Sequence, residues 1–225
     1  MDAVADAVGK SHTKPAFYYA EERQQNLFNC VACGEVNDVL GRYAYYGSCG
    51  TRNDLQELET IIQGIRNRAN NEGPYEGYVK DAVAAFDSFA GQYAKQFLTR
   101  VPMTPARKSR LARAYFHNLA SASEIFRAIF DIDILSGISA EDVAFATLMF
   151  HRRHVYEHKG GEADEKYITD SGDKVRVKQA LHETQESAHR TASVVVKLAA
   201  NLHRGFHEIF PPLEESIQWH NRMKQ

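Results

Sequence analysis

From about residue 54 onward, apolar residues recur with the period of a helix. In DLQELETIIQGIRNRAN, Leu55, Leu58, Ile61, Ile62 and Ile65 mark one face, behind Asn53 as a predicted N-cap. Gly73-Pro74 interrupts the pattern. A second stripe runs through Tyr78, Val79, Ala82, Val83, Phe86, Phe89, Ala90, Tyr93 and Phe97 until Pro102. Thr104-Pro105 reads as cap and first-turn proline of a third helix carrying Leu111, Tyr115, Leu119, Ala122, Ile125, Phe126 and Ile129. Ser139 and Asp142 open a fourth, which runs through Val143, Ala146, Met149 and Phe150 to about His158 and stops at Gly160-Gly161. Residues 162–177 read as a polar loop with a short extended piece at Val175–Val177. The last helix carries Leu181, Ala188, Ala192, Val195, Val196, Leu198, Leu202 and Phe206, and ends before Pro211-Pro212.

Strand signals are confined to residues 16–52. The pattern therefore predicts an all-α, up-and-down helical bundle over residues 76–212. A loose tail at 1–15, a small cysteine-bearing element at 16–53 and a connecting helix at 54–75 precede it, and a C-terminal tail at 213–225 follows. Of the 225 residues, 44% are hydrophobic and 25% charged. That is the balance of a folded globular chain and excludes wholesale disorder. No apolar run reaches the ~18 residues of a membrane span, and the first residues lack a secretory core. The expectation is a cytoplasmic protein without a membrane partner.

The small element holds all three cysteines. Cys30-Val-Ala-Cys33-Gly is a knuckle whose two thiolates can face one tetrahedral ion. Tyr46-Gly-Ser-Cys49-Gly is a second knuckle in which tyrosine stands where a first cysteine belongs. Cys30, Cys33 and Cys49 are thus candidate ligands of a structural zinc, in a zinc-ribbon-like element short of one ligand. His12 is the nearest histidine in sequence that could complete it. A metal-free relic ribbon held by Phe28, Tyr43 and Tyr45 is the competing reading. A redox role for Cys30 and Cys33 lacks the βαβ surroundings it would need.

The net charge of −2 at first argues against a nucleic-acid partner. Resolved along the chain it does not, because Asp87 to Glu124 encloses six cations and not one carboxylate. Arg107, Arg110 and Arg113, spaced i, i+3, i+6, form a row beside Lys108 suited to tracking phosphates. A solvated helix face is the alternative.

The densest polar cluster is MFHRRHVYEHKGG at the end of the fourth helix. His151, His154 and His158 share a stripe, and Arg153 stands five residues before His158, leaving room for a phosphate between them. Arginine to stabilise a phosphorane and histidine to move a proton suffice to cleave RNA without metal. Three other readings stand beside this: a solvated basic helix end, a metal held by histidine pairs, and a di-iron site built on Glu186-x-x-His189. The last requires a second such motif and two further carboxylates.

Arg153-His-Val-Tyr-Glu-His158 resembles the Rx4–6H motif of the HEPN superfamily, in which a polar residue such as His154 commonly follows the arginine. A glycine turn, an acidic loop through Asp164 and Tyr167, and a long final helix extend the resemblance over roughly residues 76–210. It implies a dimeric all-α bundle and a metal-independent endoribonuclease of toxin, antitoxin-regulated or phage-defence systems. On that reading His158 is the general acid or base, Arg153 stabilises the phosphorane and His154 orients or assists. Arg152 would join Arg107, Lys108, Arg110 and Arg113 in contacting RNA. No cofactor is required for the chemistry, and the expected partners are RNA, a second copy, and an antitoxin or defence protein. The alternative within the same family is a non-catalytic module that binds nucleic acid or protein.

Overall fold

The computed structural model describes residues 26–39 and 41–223. These fall into two compact units, the residues up to Asn53 together with those from Pro212, and Asp54–Pro211. The expected tail at 1–15 and His12 lie outside the described residues. No described helix is long and apolar enough to cross a membrane.

The smaller unit opens with an antiparallel hairpin, β1 (Asn26–Asn29) and β2 (Val36–Val39), in which Phe28 pairs with Asn37. The intervening turn holds Cys30 and Cys33, and a second turn at 46–50 holds Cys49. Residues 214–223, expected as tail, form a helix instead. It has Glu214 and Glu215 in its first turn and His220 and Arg222 in its last, the charge order that complements a helix dipole. Ile217 packs on the cysteine cluster, and the Ser216 hydroxyl donates to the Ser48 carbonyl. The His220 ring lies over Gly34, where a Cβ would come within 2.0 Å of its Cε1. With φ at +75°, that position needs glycine twice over.

The larger unit is all helical: α1 (Asp54–Ala69), α2 (Tyr75–Arg100), α3 (Pro105–Ala112), α4 (Leu119–Phe130), α5 (Ala140–His158), α6 (Glu165–Ser171) and α7 (Gln185–Ile209). The C-terminal helix is then α8 (Glu214–Met223). The long pair α2 and α7 forms the centre, with α1 packed on both and α5 on both. Phe86, Phe89, Tyr93 and Phe97 of α2 and Leu198, Leu202 and Phe206 of α7 are fully buried, with the Tyr93 ring edge-on to Phe206 at 4.8 Å. Phe97 stacks on Phe130 at 3.9 Å and meets Phe206 edge-on at 5.2 Å. Each such side chain contributes roughly 1.5–3 kcal/mol through burial. The helix expected only to connect, α1, is a full member of the bundle.

Three further expectations change. The third predicted helix is two, because Asn118 caps α4 by accepting from the Ser121 N–H, while the Phe116 N–H donates to Asp87. The chain therefore turns through Arg113–Asn118 and leaves Tyr115 72% exposed. Part of the polar loop at 162–177 is the short helix α6, capped by Asp164. Leu181 is buried but precedes α7, which begins at a reciprocal cap between Thr184 and Ser187.

Candidate active site

Ser139 caps α5, and the helix runs to His158 before Gly160 and Gly161, both at positive φ, turn the chain away. The last two turns of α5 carry the cluster singled out in the sequence. The rings of His154 and His158 lie 4.8 Å apart, tilted by 56°. Partial burial, followed by the charges of His158, His117, Arg153 and Lys159, lowers the pKa of His154 below the ordinary 6.5. The neutral imidazole, a proton acceptor, is thereby favoured. Arg153 is half-buried, and its Nε is buried with no hydrogen-bond partner among the described residues. Left that way, a buried guanidinium N–H carries a desolvation cost.

A cleft of about 390 Å³ opens beside this helix end. His117, His151, His154, Lys159, Lys166 and Tyr167 lie in its wall, with Asp164 and Asp170. Lys159 pairs with Asp164 at 3.4 Å and Lys166 with Asp170 at 2.6 Å, so the lysines are already matched. His117 stands 3.6 Å from Asp87, which leaves His151 and His154 of the cleft wall for chemistry. Arg153 and His158 do not line the cleft; they adjoin it through His154.

Arg152 is instead committed inside the bundle. Its guanidinium donates to Asp173 and to Glu183, each at 2.9 Å, and its Nε also reaches the Tyr167 hydroxyl at 3.3 Å. Tyr156 and Ser187 donate to Glu183, and Tyr167 donates to Asp173 in a short hydrogen bond. Burial alone would lower the pKa of Arg152, but the hydrogen bond and charge of Glu183, then the hydrogen bond to Asp173, outweigh it and hold the pKa above the ordinary arginine value. Burial and the bond to Asp173 push Tyr167 up to about 12. This network fixes α5 against the 173–187 segment.

Along α3, Arg107 and Lys108 are exposed, Arg110 is paired with Glu124, and Arg113, which sits at the C-cap, donates to Ser109. The chain continues from them through Tyr115 into His117 and Asn118 of the cleft wall.

The sequence reading missed His117 and the Arg152 network. His117 was hidden by the continuous third helix, although Asn118-x-x-Ser121 is a capping signal that would have freed it. Nothing in the local pattern announces that Asp173 and Glu183 converge on Arg152.

The three cysteines of the smaller unit do meet. Their Sγ atoms lie within 4.8 Å of one another, with Cys30 and Cys49 at 3.7 Å, all buried and free. Three thiols in this arrangement could hold a metal ion such as zinc. Burial pushes Cys30 up to about 12, whereas at Cys49 burial is outweighed by hydrogen bonding with Thr51, Cys33 and Cys30 taken together, and its pKa is lowered.

Comparison with protein-family models, curated proteins and solved structures finds no match. The functional reading therefore rests on residues and geometry.

Proposed function

We propose that the helical bundle is a metal-independent endoribonuclease of the HEPN kind, acting at the Arg153–His154–His158 end of α5. The observation that carries this reading is the imidazole pair, 4.8 Å apart, with His154 in the wall of a cleft and Arg153, whose Nε has no partner among the described residues, next to it in the chain. The RNA 2′-oxygen attacks the adjacent phosphorus, and its proton passes to His154, whose surroundings favour the neutral form. Arg153 offsets the charge that develops on the phosphorane oxygens. His158 delivers a proton to the departing 5′-oxygen, leaving a 2′,3′-cyclic phosphate and a 5′-hydroxyl. A symmetric pair of chains would bring two such sets to one interface.

The exposed cations of α3 and Tyr115 favour a second reading, a module that binds RNA without cutting it. One experiment separates them. RNA cleavage in EDTA is expected from the wild type and lost in Arg153→Ala and His158→Ala, with light scattering showing a dimer. Salt-dependent RNA binding with no cleavage would leave the binding module. Cleavage abolished by EDTA would sink the metal-independent mechanism.

A further inference from the structure

The two cysteine turns of the smaller unit are built alike. In the first, the Gly34 N–H donates to the Cys30 carbonyl at 2.7 Å and the Cys30 N–H to Glu35 at 2.9 Å. In the second, the Gly50 N–H donates to the Tyr46 carbonyl at 2.8 Å and the Tyr46 N–H to Thr51 at 2.8 Å. Gly34 and Gly50 share a positive φ, +75° and +73°. Cys33 thus corresponds to Cys49, and Cys30 to Tyr46. The Tyr46 ring is 1% exposed and belongs to the same buried cluster as the three thiols. By that correspondence it holds the turn position from which a fourth thiolate would come, and its hydroxyl reaches the Asn29 carbonyl at 3.5 Å.

Zinc in a structural site is almost always four-coordinate, and no described histidine or carboxylate joins the cysteines. The sulfur spacing itself does not require zinc. With metal–sulfur bonds of about 2.3 Å, sulfurs stand ~3.8 Å apart in a tetrahedron and ~4.0 Å apart in a trigonal plane. The observed 3.7 Å, within a 4.8 Å envelope, accommodates either. The missing corner decides, and soft thiolate sets also select copper(I), which three ligands satisfy. The outer shell is in place: the Cys33 N–H reaches the Cys30 Sγ at 3.5 Å, and Thr51 Oγ1 lies 3.2 Å from the Cys49 Sγ. An entry path exists as well. A cleft of about 290 Å³ reaches Cys33 between Glu35 and Glu215, two carboxylates that draw a cation inward.

We propose that Cys30, Cys33 and Cys49 form a three-thiolate site for a soft, three-coordinate cation of the copper(I) class, with the Tyr46 ring closing the corner that zinc would need. The site is independent of the ribonuclease reading, and its test does not depend on cleavage.

The full-length reduced chain is titrated anaerobically with buffered copper(I) and, separately, with zinc, following metal-to-protein ratio and thiolate-to-metal charge-transfer absorption. One copper(I) per chain is expected, lost in Cys49→Ser, with zinc bound weakly. Tyr46→Cys is expected to raise zinc affinity by more than about a hundredfold, since even outer-shell partners change it ~10–100-fold. Tyr46→Phe keeps the ring and is expected to bind copper(I) as the wild type does, which also controls for misfolding of the cysteine variant. Wild-type zinc binding as tight as that of Tyr46→Cys would overturn the proposal, and so would the absence of a stoichiometric copper(I) complex. Loss of copper(I) in Tyr46→Phe would overturn it too, by making the phenol a ligand.

Discussion

Arg152 and Arg153 are neighbours on α5, yet their surroundings differ in kind. Arg152 is held by two carboxylates and a tyrosine, with the side chains of Arg152, Asp173 and Glu183 only 16%, 10% and 2% exposed. Arg153 keeps a buried Nε without a partner, beside histidines whose charges repel. A saturated network holds structure in place, and its members have no capacity left for a ligand. Arg153, with a buried Nε that no described residue satisfies, carries a cost that the fold does not itself relieve. Adjacent residues of the same type are thus separated by what surrounds them, which sequence spacing alone does not reveal.

The largest expected effect tests the structural half of this contrast. Arg152→Ala leaves Glu183 and Asp173 buried without their cation, and breaking a buried pair in this way costs about 3–5 kcal/mol. Urea denaturation should show that loss, against a total stability on the order of 5–15 kcal/mol. Arg153→Ala removes no hydrogen bond at Nε, and its unfolding midpoint should stay near that of the wild type. Equal destabilisation by the two variants would erase the distinction.

The functional half inverts the order. Arg153→Ala is expected to reduce RNA cleavage by ~10²–10³-fold, the usual result of removing one donor to a developing oxyanion. Arg152→Ala, assayed at a temperature where it remains folded, should retain more activity than Arg153→Ala. If Arg152→Ala proves the less active while folded, the partition between the two arginines is wrong.

Much of the fold was legible because burial repeats at the period of a helix. Phe86, Phe89, Tyr93 and Phe97 announce α2 in this way, and Ser139 and Thr104 cap the helices they were expected to cap. The break at Arg113–Asn118 was not legible from periodicity, since Leu111, Tyr115 and Leu119 keep helical spacing across it. It rests on a long-range bond, from the Phe116 N–H to Asp87, twenty-nine residues away. The helix at 214–223 escaped for a related reason, because its apolar anchor is little more than Ile217 on the cysteines. The histidine stripe was visible as spacing, whereas the contribution of His117 required tertiary structure. The knuckle was the most local feature, and Tyr46 was readable as the missing ligand from its position alone.

A smaller effect is expected from the α3 cations. Replacing Arg107, Lys108 and Arg113 with alanine should weaken RNA binding and flatten its salt dependence. Each lost phosphate contact on a single strand removes about 0.7 from the log–log slope, so the triple variant should lose roughly 2. Binding should weaken to a similar degree across RNA sequences. An unchanged slope would make α3 an ordinary solvated surface and place the RNA elsewhere.

The finest test concerns His154. Its folded-state pKa lies below 6.5, with burial the largest cause and the charges of His158, His117, Arg153 and Lys159 adding to it. As pH falls, the unfolded chain takes up this proton first, so folding stability declines below about 6.5 and is unaffected by His154 above it. The acidic limb of RNA cleavage should accordingly fall below 6.5, because the neutral imidazole is the form that accepts the 2′-hydroxyl proton. An NMR titration of the imidazole separates the causes. His117→Gln removes one repelling charge and should move the His154 titration upward toward 6.5. High salt should do the same only in part, because screening weakens the charges and leaves burial untouched. A His154 that titrates at or above 6.5 in the wild type would mean its neighbours do not repel its proton, and the assignment of His154 as the base would fail with it.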